Sequence, residues 1–136
     1  MQLPSDMRAF NEILIAEFRA NGGKLSGRMA NSSLLLLTTV GARTGEPRVT
    51  PLGYVRDGKR YAVIAANAGA HQHPDWYHNL VAHPRVVVEV GSERFEATAQ
   101  TAEHDERERL VAMIPYFAAQ QVKTQRVIPV VVLERV

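Results

Sequence analysis

Residues 34–58 read LLLLTTVGARTGEPRVTPLGYVRDG, and signals typical of β-structure begin within this stretch. The run Leu34–Val40 is apolar and ends in β-branched residues, as a buried strand does. The segment Gly41–Pro47 is rich in turn-forming residues, and Gly45 supplies a backbone conformation that few other residues adopt. We therefore predict a strand over Leu34–Val40 followed by a tight turn.

A second strand and a hairpin follow that turn. We predict the strand over Val49–Val55, although Pro51 has no N–H to donate to a ladder, which indicates an edge strand or a bulge. The dipeptide Asp57-Gly58 is a strong hairpin signal. The next apolar run, Tyr61–Ala66, is therefore predicted to be the returning strand of a hairpin.

Proline, glycine and changes in hydrophobic period outline the other elements. Three further strands are predicted at Arg85–Val90, Phe95–Gln100 and Ile128–Leu133. Helices are predicted at Ser5–Ala20, from Pro74 to just before Pro84, and at Ala102–Phe117. Six short strands with two or three flanking helices indicate an α+β, mainly β domain built as a small, mostly antiparallel barrel.

Apolar residues at helical spacing predict which faces of the helices are buried. In the first helix the stripe consists of Met7, Phe10, Leu14 and Phe18. In the short helix the inward residues are predicted to be Trp76, Leu80 and Val81. Both helices are expected to pack on the barrel, with a peripheral membrane contact left open as the alternative for the first.

Length and composition restrict the class of protein. The 136 residues fit one domain, with a helix and connector over 1–33 and the barrel over 34–136. The absence of cysteine excludes disulfides, thiolate metal sites and cysteine nucleophiles, so redox chemistry requires a borrowed group. No apolar run approaches the roughly 20 residues of a membrane span, and no leader pattern is present. We expect a cytoplasmic protein without an integral membrane segment.

The charged residues point to a local anion site. The net charge of +2 is too small for a nucleic-acid footprint over the whole surface, so no nucleic-acid partner is expected. Thirteen of the sixteen cationic residues are Arg, whose planar fork suits phosphate and carboxylate. Five cations fall within eighteen residues, namely Arg43, Arg48, Arg56, Lys59 and Arg60. This cluster indicates an anionic ligand, with a solvated hairpin as the alternative.

A metal site and a hydrolytic triad are the other chemistries to consider. His71, His73 and Asp75 alternate as ligands do in some dinuclear metal sites. Trp76 stands where a further ligand would complete that pattern, so no metal is expected and a metal hydrolase remains an alternative. No serine lies in a G-x-S-x-G nucleophile elbow. We therefore set the hydrolytic triad aside.

Three segments together resemble the signatures of the deazaflavin-dependent nitroreductases. The first is Leu35–Leu52, the second is His73–Leu80 continuing into Ala82-His83-Pro84, and the third is Arg126–Val132. The segments occur in the order of the family's signatures, and the resemblance extends from about Leu34 to Val132.

The resemblance implies a split β-barrel, related to flavin-binding reductases, that binds coenzyme F420. This cofactor is an 8-hydroxy-5-deazaflavin with a phosphate and an oligoglutamate tail. Members of the family pass a hydride from its reduced form to electron-poor acceptors such as quinones, nitroaromatics and enones. The chain is accordingly expected to be an F420H2-dependent oxidoreductase that supplies orientation and a dry pocket. Because the cofactor carries the hydride, the resemblance implies no catalytic residue on the chain itself.

The resemblance also implies which residues form the site. On the turn and second strand they are Arg43, Thr44, Arg48, Thr50, Pro51 and Leu52, of which Arg43 and Arg48 would hold the phosphate. After the hairpin they are Ile64, Ala66, Asn67, Ala68 and Gly69. On the short helix they are Asn79 and Trp76, with core packing as the alternative for Trp76. The acceptor pocket is expected at Tyr116, Phe117 and Gln120.

Two other functions remain open at this point. The same barrel could use FMN, which also has a tricyclic ring and a phosphate. The protein could also be a cofactor carrier that never turns over. The expected partner is a small-molecule electron acceptor, and the chain is expected to be a monomer or a homodimer.

Overall fold

The computed structural model describes residues 4–27 and 33–136, with side chains from Ala9 onward. The described part contains four α-helices, namely α1 Pro4–Ala20, α2 Asp75–Ala82, α3 His104–Met113 and α4 Phe117–Gln121. Its seven strands are β1 Leu34–Val40, β2 Pro47–Gly53, β3 Val55–Asp57, β4 Arg60–Ile64, β5 Arg85–Val90, β6 Glu93–Thr101 and β7 Val130–Arg135. None of the described helices is long and apolar enough to cross a membrane.

All seven strands form one antiparallel sheet in the order β2-β1-β5-β6-β7-β4-β3. Strands β2 and β3 lie at its opposite edges, although only Tyr54 separates them in the chain. Since a residue spans at most about 3.6 Å, the two edges must approach each other. The sheet therefore curls into a half-barrel, which confirms the predicted mainly antiparallel split barrel.

The single strand predicted over Val49–Val55 is wrong. The chain leaves β1 after Gly53 and pairs with β4 from Val55 onward, so this run belongs to two strands and the sheet has seven rather than six. Pro51 lies in β2, which is an edge strand. Proline has no backbone N–H to donate, and an edge strand lacks the second neighbour that would need that donor. That part of the prediction is confirmed.

The helix predicted over Ala102–Phe117 is also wrong, because Pro115 interrupts it. Proline disfavours helical geometry in the residue before it, and Ile114 has φ −103° and ψ 101°. Helix α3 therefore ends at Met113 and α4 starts anew at Phe117. This break raises the number of α-helices in the described part of the chain to four, against the two or three expected.

Two predicted helix faces need correction. Val81 is 61% exposed rather than inward, and the buried residues of α2 are Trp76, Asn79 and Leu80. On α1, Leu14 and Phe18 are buried as predicted, whereas Phe10 is 51% exposed. The predicted position of Met7 in the stripe lies outside the described side chains.

The sheet has two apolar faces. The barrel interior is lined by alternate residues of five strands and contacts α2; its buried members include Leu35, Leu37, Val63, Val88, Val131 and Leu133. The outer cluster lies between the opposite face and helices α3 and α4; it includes Ile64, Leu110, Ile114, Phe117, Ile128 and Val130. Because successive residues of a strand point to opposite faces, Val63 and Ile64 belong to different clusters.

Candidate functional site

The arginine turn, residues 41–47, is tightly hydrogen-bonded. The backbone nitrogen of Gly41 donates to Glu46 O at 2.8 Å, and that of Gly45 donates to Gly41 O at 2.9 Å. Gly45 has φ +73°, in the left-handed region that favours glycine. The Thr44 hydroxyl accepts a hydrogen bond of 3.2 Å from Glu46 N, so it is directed at the turn itself.

Helix α2 anchors this turn through Asn79. Its Oδ1 accepts a hydrogen bond of 2.9 Å from Ala42 N, and its Nδ2 donates to Thr39 Oγ1 at 3.2 Å. Asn79 is 8% exposed and Thr39 is fully buried. The structure thus places Asn79 beneath the turn, where its amide holds the backbone in position.

The two arginines predicted to bind phosphate are exposed on or next to this turn. Among the described residues, neither Arg43 nor Arg48 forms an ion pair. By contrast, Arg60 and Arg109 both bind Asp57, at 2.6 and 2.8 Å. The positive charge of Arg43 and Arg48 is therefore available to an external anion.

Strand β2 presents its predicted site residues on two faces. Directly paired residues of antiparallel strands share a face. Arg48, Thr50 and Leu52 pair with Thr39, Leu37 and Leu35 and so lie on the side of the barrel interior. Pro51 pairs with Leu36 and lies on the opposite side, apart from its two neighbours.

The small-residue loop, residues 65–70, connects β4 towards α2. Three successive residues adopt left-handed conformations: Asn67 with φ +51°, Ala68 with φ +53° and Gly69 with φ +85°. A Cβ added to Gly69 would lie 2.5 Å from Lys123 Cβ, so only glycine fits where the chain after α4 packs on the loop. The loop therefore has small side chains, is sharply bent and lies adjacent to α4.

The predicted acceptor residues lie at the start of α4. Phe117 is buried in the outer cluster, against which Tyr116 packs. Tyr116 Oη and Gln120 Oε1 are buried and have no hydrogen-bond partner in the described part of the chain. Burial raises the pKa of Tyr116 above its usual value, so this hydroxyl keeps its proton at neutral pH.

The structure brings most of the predicted residues into two groups. One consists of the arginine turn with Asn79 beneath it and the inner face of β2. The other consists of Ile64, Ala66 and residues 67–69 beside α4. A Cβ added to Gly53, the last residue of β2, would lie 3.4 Å from Tyr116 Oη, so the end of β2 approaches the predicted acceptor residues. Trp76 is packed in the barrel interior at 7% exposure, in the same cluster against which Leu52 packs.

The histidine segment is organised around an arginine. Nη1 of Arg126 lies 2.7 Å from His73 Nδ1. Arginine cannot accept a hydrogen bond, so His73 Nδ1 is the acceptor and is occupied. Within residues 4–27 and 33–136 no three His, Asp or Glu side chains converge as metal ligands would. The geometry offers no support for the metal alternative.

Arg126 is the residue of this region that sequence reasoning missed. Its guanidinium contacts both ends of the small-residue loop as well as His73. The only available signal was its position at the start of the third signature, since its partners lie 53–61 residues earlier in the chain.

Comparison with known proteins gives a consistent result. The family model described as F420H(2)-dependent quinone reductase matches residues 11–135. An F420H(2)-dependent quinone reductase of Mycobacterium tuberculosis is 40% identical over 128 residues, covering 88% of this chain and 86% of that protein.

Solved structures extend the comparison. A structure described as an F420-H2 dependent reductase is 38% identical with a TM-score of 0.67, covering 75% of this chain and 94% of the other. A second, described as a domain-swapped dimer, is 34% identical with a TM-score of 0.70, covering 97% of this chain and all of the other (100%). A heme storage protein from Vibrio cholerae is 19% identical with a TM-score of 0.54 and shares the fold alone.

Proposed function

The chain belongs to the F420H(2)-dependent quinone reductase family, and on that premise we propose that it transfers a hydride from reduced coenzyme F420 to a quinone. The observation that carries the proposal is the pair Arg43 and Arg48. Both are exposed and lack an ion-pair partner among the described residues, and the backbone beside them is fixed by Asn79. A fixed turn with two available guanidinium groups suits a cofactor with an anionic tail.

The residues present fit this cofactor. Arg43 and Arg48 would bind the tail phosphate with charge-assisted hydrogen bonds, with the Thr44 backbone beside them. Thr50 and Leu52 would line the stem on the inner face of β2. The loop Ala66–Gly69 has no side chain larger than Asn67, which permits a flat ring to approach its backbone. When bound, the reduced deazaflavin supplies the hydride.

The chain's own contribution on the acceptor side is a dry pocket with one hydrogen-bond donor. Phe117 provides apolar surface that excludes water. Tyr116 Oη is buried and protonated, so it would donate a hydrogen bond to the carbonyl oxygen of a bound quinone. Gln120 lies one helical turn later and would orient the acceptor with its amide. Nitroaromatics and enones present oxygens of similar polarity and are the further acceptors to examine.

Cofactor titration followed by turnover tests this function. The protein is titrated with oxidised F420 and separately with FMN, with binding followed by fluorescence. We expect F420 to bind more tightly; tight FMN binding without F420 binding would overturn the assignment. Reduced F420 is then mixed with a benzoquinone, and its oxidation should exceed the rate without protein. Clear binding without this acceleration would favour a carrier.

We further propose that residues 1–136 act as one reductase domain whose partner is a small-molecule acceptor. The family resemblance supports a cytoplasmic location, which cell fractionation would test. The structural relative described as a domain-swapped dimer makes a homodimer the assembly to look for. Light scattering at increasing protein concentration would distinguish it from a monomer.

A further inference from the structure

The guanidinium of Arg126 is almost fully occupied by the small-residue loop and by His73. Its Nη2 donates to Ala65 O at 3.1 Å and to Ala66 O at 2.7 Å. Its Nε donates to Ala70 O at 2.9 Å, and its Nη1 donates to His73 Nδ1 at 2.7 Å. One side chain thus ties together the first and last carbonyl groups of the loop.

The loop needs such external support. Left-handed conformations are costly for residues with a Cβ, and Asn67 and Ala68 adopt them in succession. Within the loop, Gly69 N donates to Ala66 O at 3.0 Å and Ala70 N donates to Asn67 O at 2.9 Å. These two bonds close the bend, and Arg126 fixes its ends.

Arg126 is itself held from α4. Gln121 Nε2 donates to Arg126 O at 2.7 Å, and Gln121 Oε1 accepts from Ile128 N at 3.1 Å. Arg126 N donates to Thr124 Oγ1 at 3.3 Å. The helix that begins with Phe117 therefore positions the arginine that positions the loop.

We propose that Arg126 is a positioning residue that preforms the small-residue loop for the deazaflavin ring, with neutral His73 as its acceptor. The inference rests on the proposed function. Four of the five N–H groups of Arg126 are already donated within the protein, to Ala65, Ala66, Ala70 and His73. This leaves Arg126 suited to shaping the loop rather than to binding the phosphate. Arg43 and Arg48, which have no ion-pair partner among the described residues, suit that second role.

The test combines amide hydrogen exchange of the cofactor-free protein with F420 titration and steady-state kinetics. Arg126→Gln removes the fork, and Arg126→Lys keeps the charge but cannot bridge several carbonyl groups. Arg60→Gln is the matched control, because Arg60 is a part-buried arginine at the opposite end of β4 that binds Asp57 and Glu106.

We expect Arg126→Gln to speed amide exchange in residues 65–70 and to weaken F420 binding roughly tenfold or more. The KM for reduced F420 should rise, while the KM for the benzoquinone stays unchanged. Arg126→Lys should show a large part of the same increase in exchange and loss of F420 affinity. Arg60→Gln should leave both exchange in the loop and F420 affinity unchanged.

Three results would overturn the proposal: unchanged exchange with unchanged affinity, faster exchange without loss of affinity, or loss of affinity without faster exchange. The last would mean that Arg126 contacts the cofactor directly. Failure of the wild-type protein to bind F420 would reject the proposed function and this inference together. Normal wild-type binding with an unaffected Arg126→Gln would reject the inference alone.

His73 provides a second route if Arg126→Gln does not fold. His73→Ala removes the acceptor for Nη1, whereas His73→Asn keeps an acceptor oxygen close to the position of Nδ1. We expect faster exchange in the loop and weaker F420 binding for His73→Ala, with recovery in His73→Asn. Equal behaviour of the two variants would contradict the proposal.

Discussion

Asn79 Oδ1 accepts a hydrogen bond of 2.9 Å from the backbone nitrogen of Ala42, which joins the buried face of α2 to the arginine turn. The other end of the same amide donates to Thr39 Oγ1 on β1. A single buried side chain therefore links a helix, a strand and the backbone that presents Arg43. This arrangement explains why α2 buries Asn79, a polar residue, while it leaves the apolar Val81 exposed.

Replacing Asn79 should destabilise the protein. Asn79→Leu leaves Ala42 N and the Thr39 hydroxyl without their partner, and orphaned buried polar groups cost about 1–3 kcal/mol. We expect the free energy of unfolding in urea to fall by that amount. Val81→Asn, which places an amide on the exposed face of the same helix, should change it by less than about 0.5 kcal/mol. Equal effects of the two variants would argue against an anchoring role.

Removing either Arg43 or Arg48 should weaken cofactor binding. Arg48→Ala is expected to reduce F420 affinity by about 1.5–3 kcal/mol, because a charge-assisted hydrogen bond to the tail is lost. Arg43→Ala should act in the same direction, and both effects should shrink at high salt. Arg85→Ala removes an exposed arginine that is paired with Glu96 and should have no effect. Unchanged affinity in both Arg43→Ala and Arg48→Ala would reject the phosphate site.

Local chemistry made much of the fold predictable. The bounds of β1 and β5 follow from apolar runs that end at turn residues, and Asp57-Gly58 marks the hairpin between β3 and β4. The edge position of β2 follows from Pro51, which lacks an N–H. Each of these signals acts within a few residues, so it can be recognised without knowledge of the tertiary structure.

Features that depend on distant partners were not predictable in this way. The chain remains extended through Gly53 and Val55, and nothing local shows that it changes from one edge of the sheet to the other. Arg126 lies 60 residues from Ala66 in the chain, and an arginine that binds backbone carbonyl groups imposes no pattern on their side chains. The inward face of α2 was mispredicted at Val81 because hydrophobicity cannot recognise a buried polar anchor.

The stability of the protein should fall in mildly acidic solution because of His73. Burial, with the charge of Arg126 and the proximity of His78, lowers the pKa of His73 below its ordinary value of 6.5. Tyr77, whose ring lies 5.0 Å from that of His73, also faces it. The unfolded chain therefore takes up this proton first, and stability is lost as the pH falls from 6.5 towards the lower pKa of the folded state.

Urea unfolding between pH 5.5 and 7.5 measures this effect. His73→Asn, which cannot titrate, should show a shallower fall in the free energy of unfolding than the wild type. His78→Asn separates the contribution of the second histidine, whose ring lies 5.8 Å from that of His73. Identical pH profiles for the wild type and His73→Asn would show that the contact between Arg126 and His73 does not depend on neutral His73.

We expect the Tyr116 hydroxyl to lower the free energy of unfolding of the protein and to increase its turnover with a quinone. Tyr116 Oη is buried and has no partner among the described residues, so Tyr116→Phe removes an unsatisfied polar atom. We expect the free energy of unfolding to stay unchanged or to rise by up to about 1 kcal/mol. Because a donor to the acceptor oxygen is lost, turnover with a benzoquinone should fall by roughly 3- to 20-fold, with F420 affinity unchanged.

Tyr77→Phe is the matched control for Tyr116→Phe, which is expected to keep or raise stability while it lowers activity. The Tyr77 hydroxyl is 2.9 Å from Thr101 Oγ1, so it is already satisfied within the protein. Its removal should lower the free energy of unfolding by about 0.5–1.5 kcal/mol, the opposite sign to Tyr116→Phe. A loss of stability in Tyr116→Phe, or full turnover in that variant, would mean that its hydroxyl has a structural partner and does not serve the acceptor.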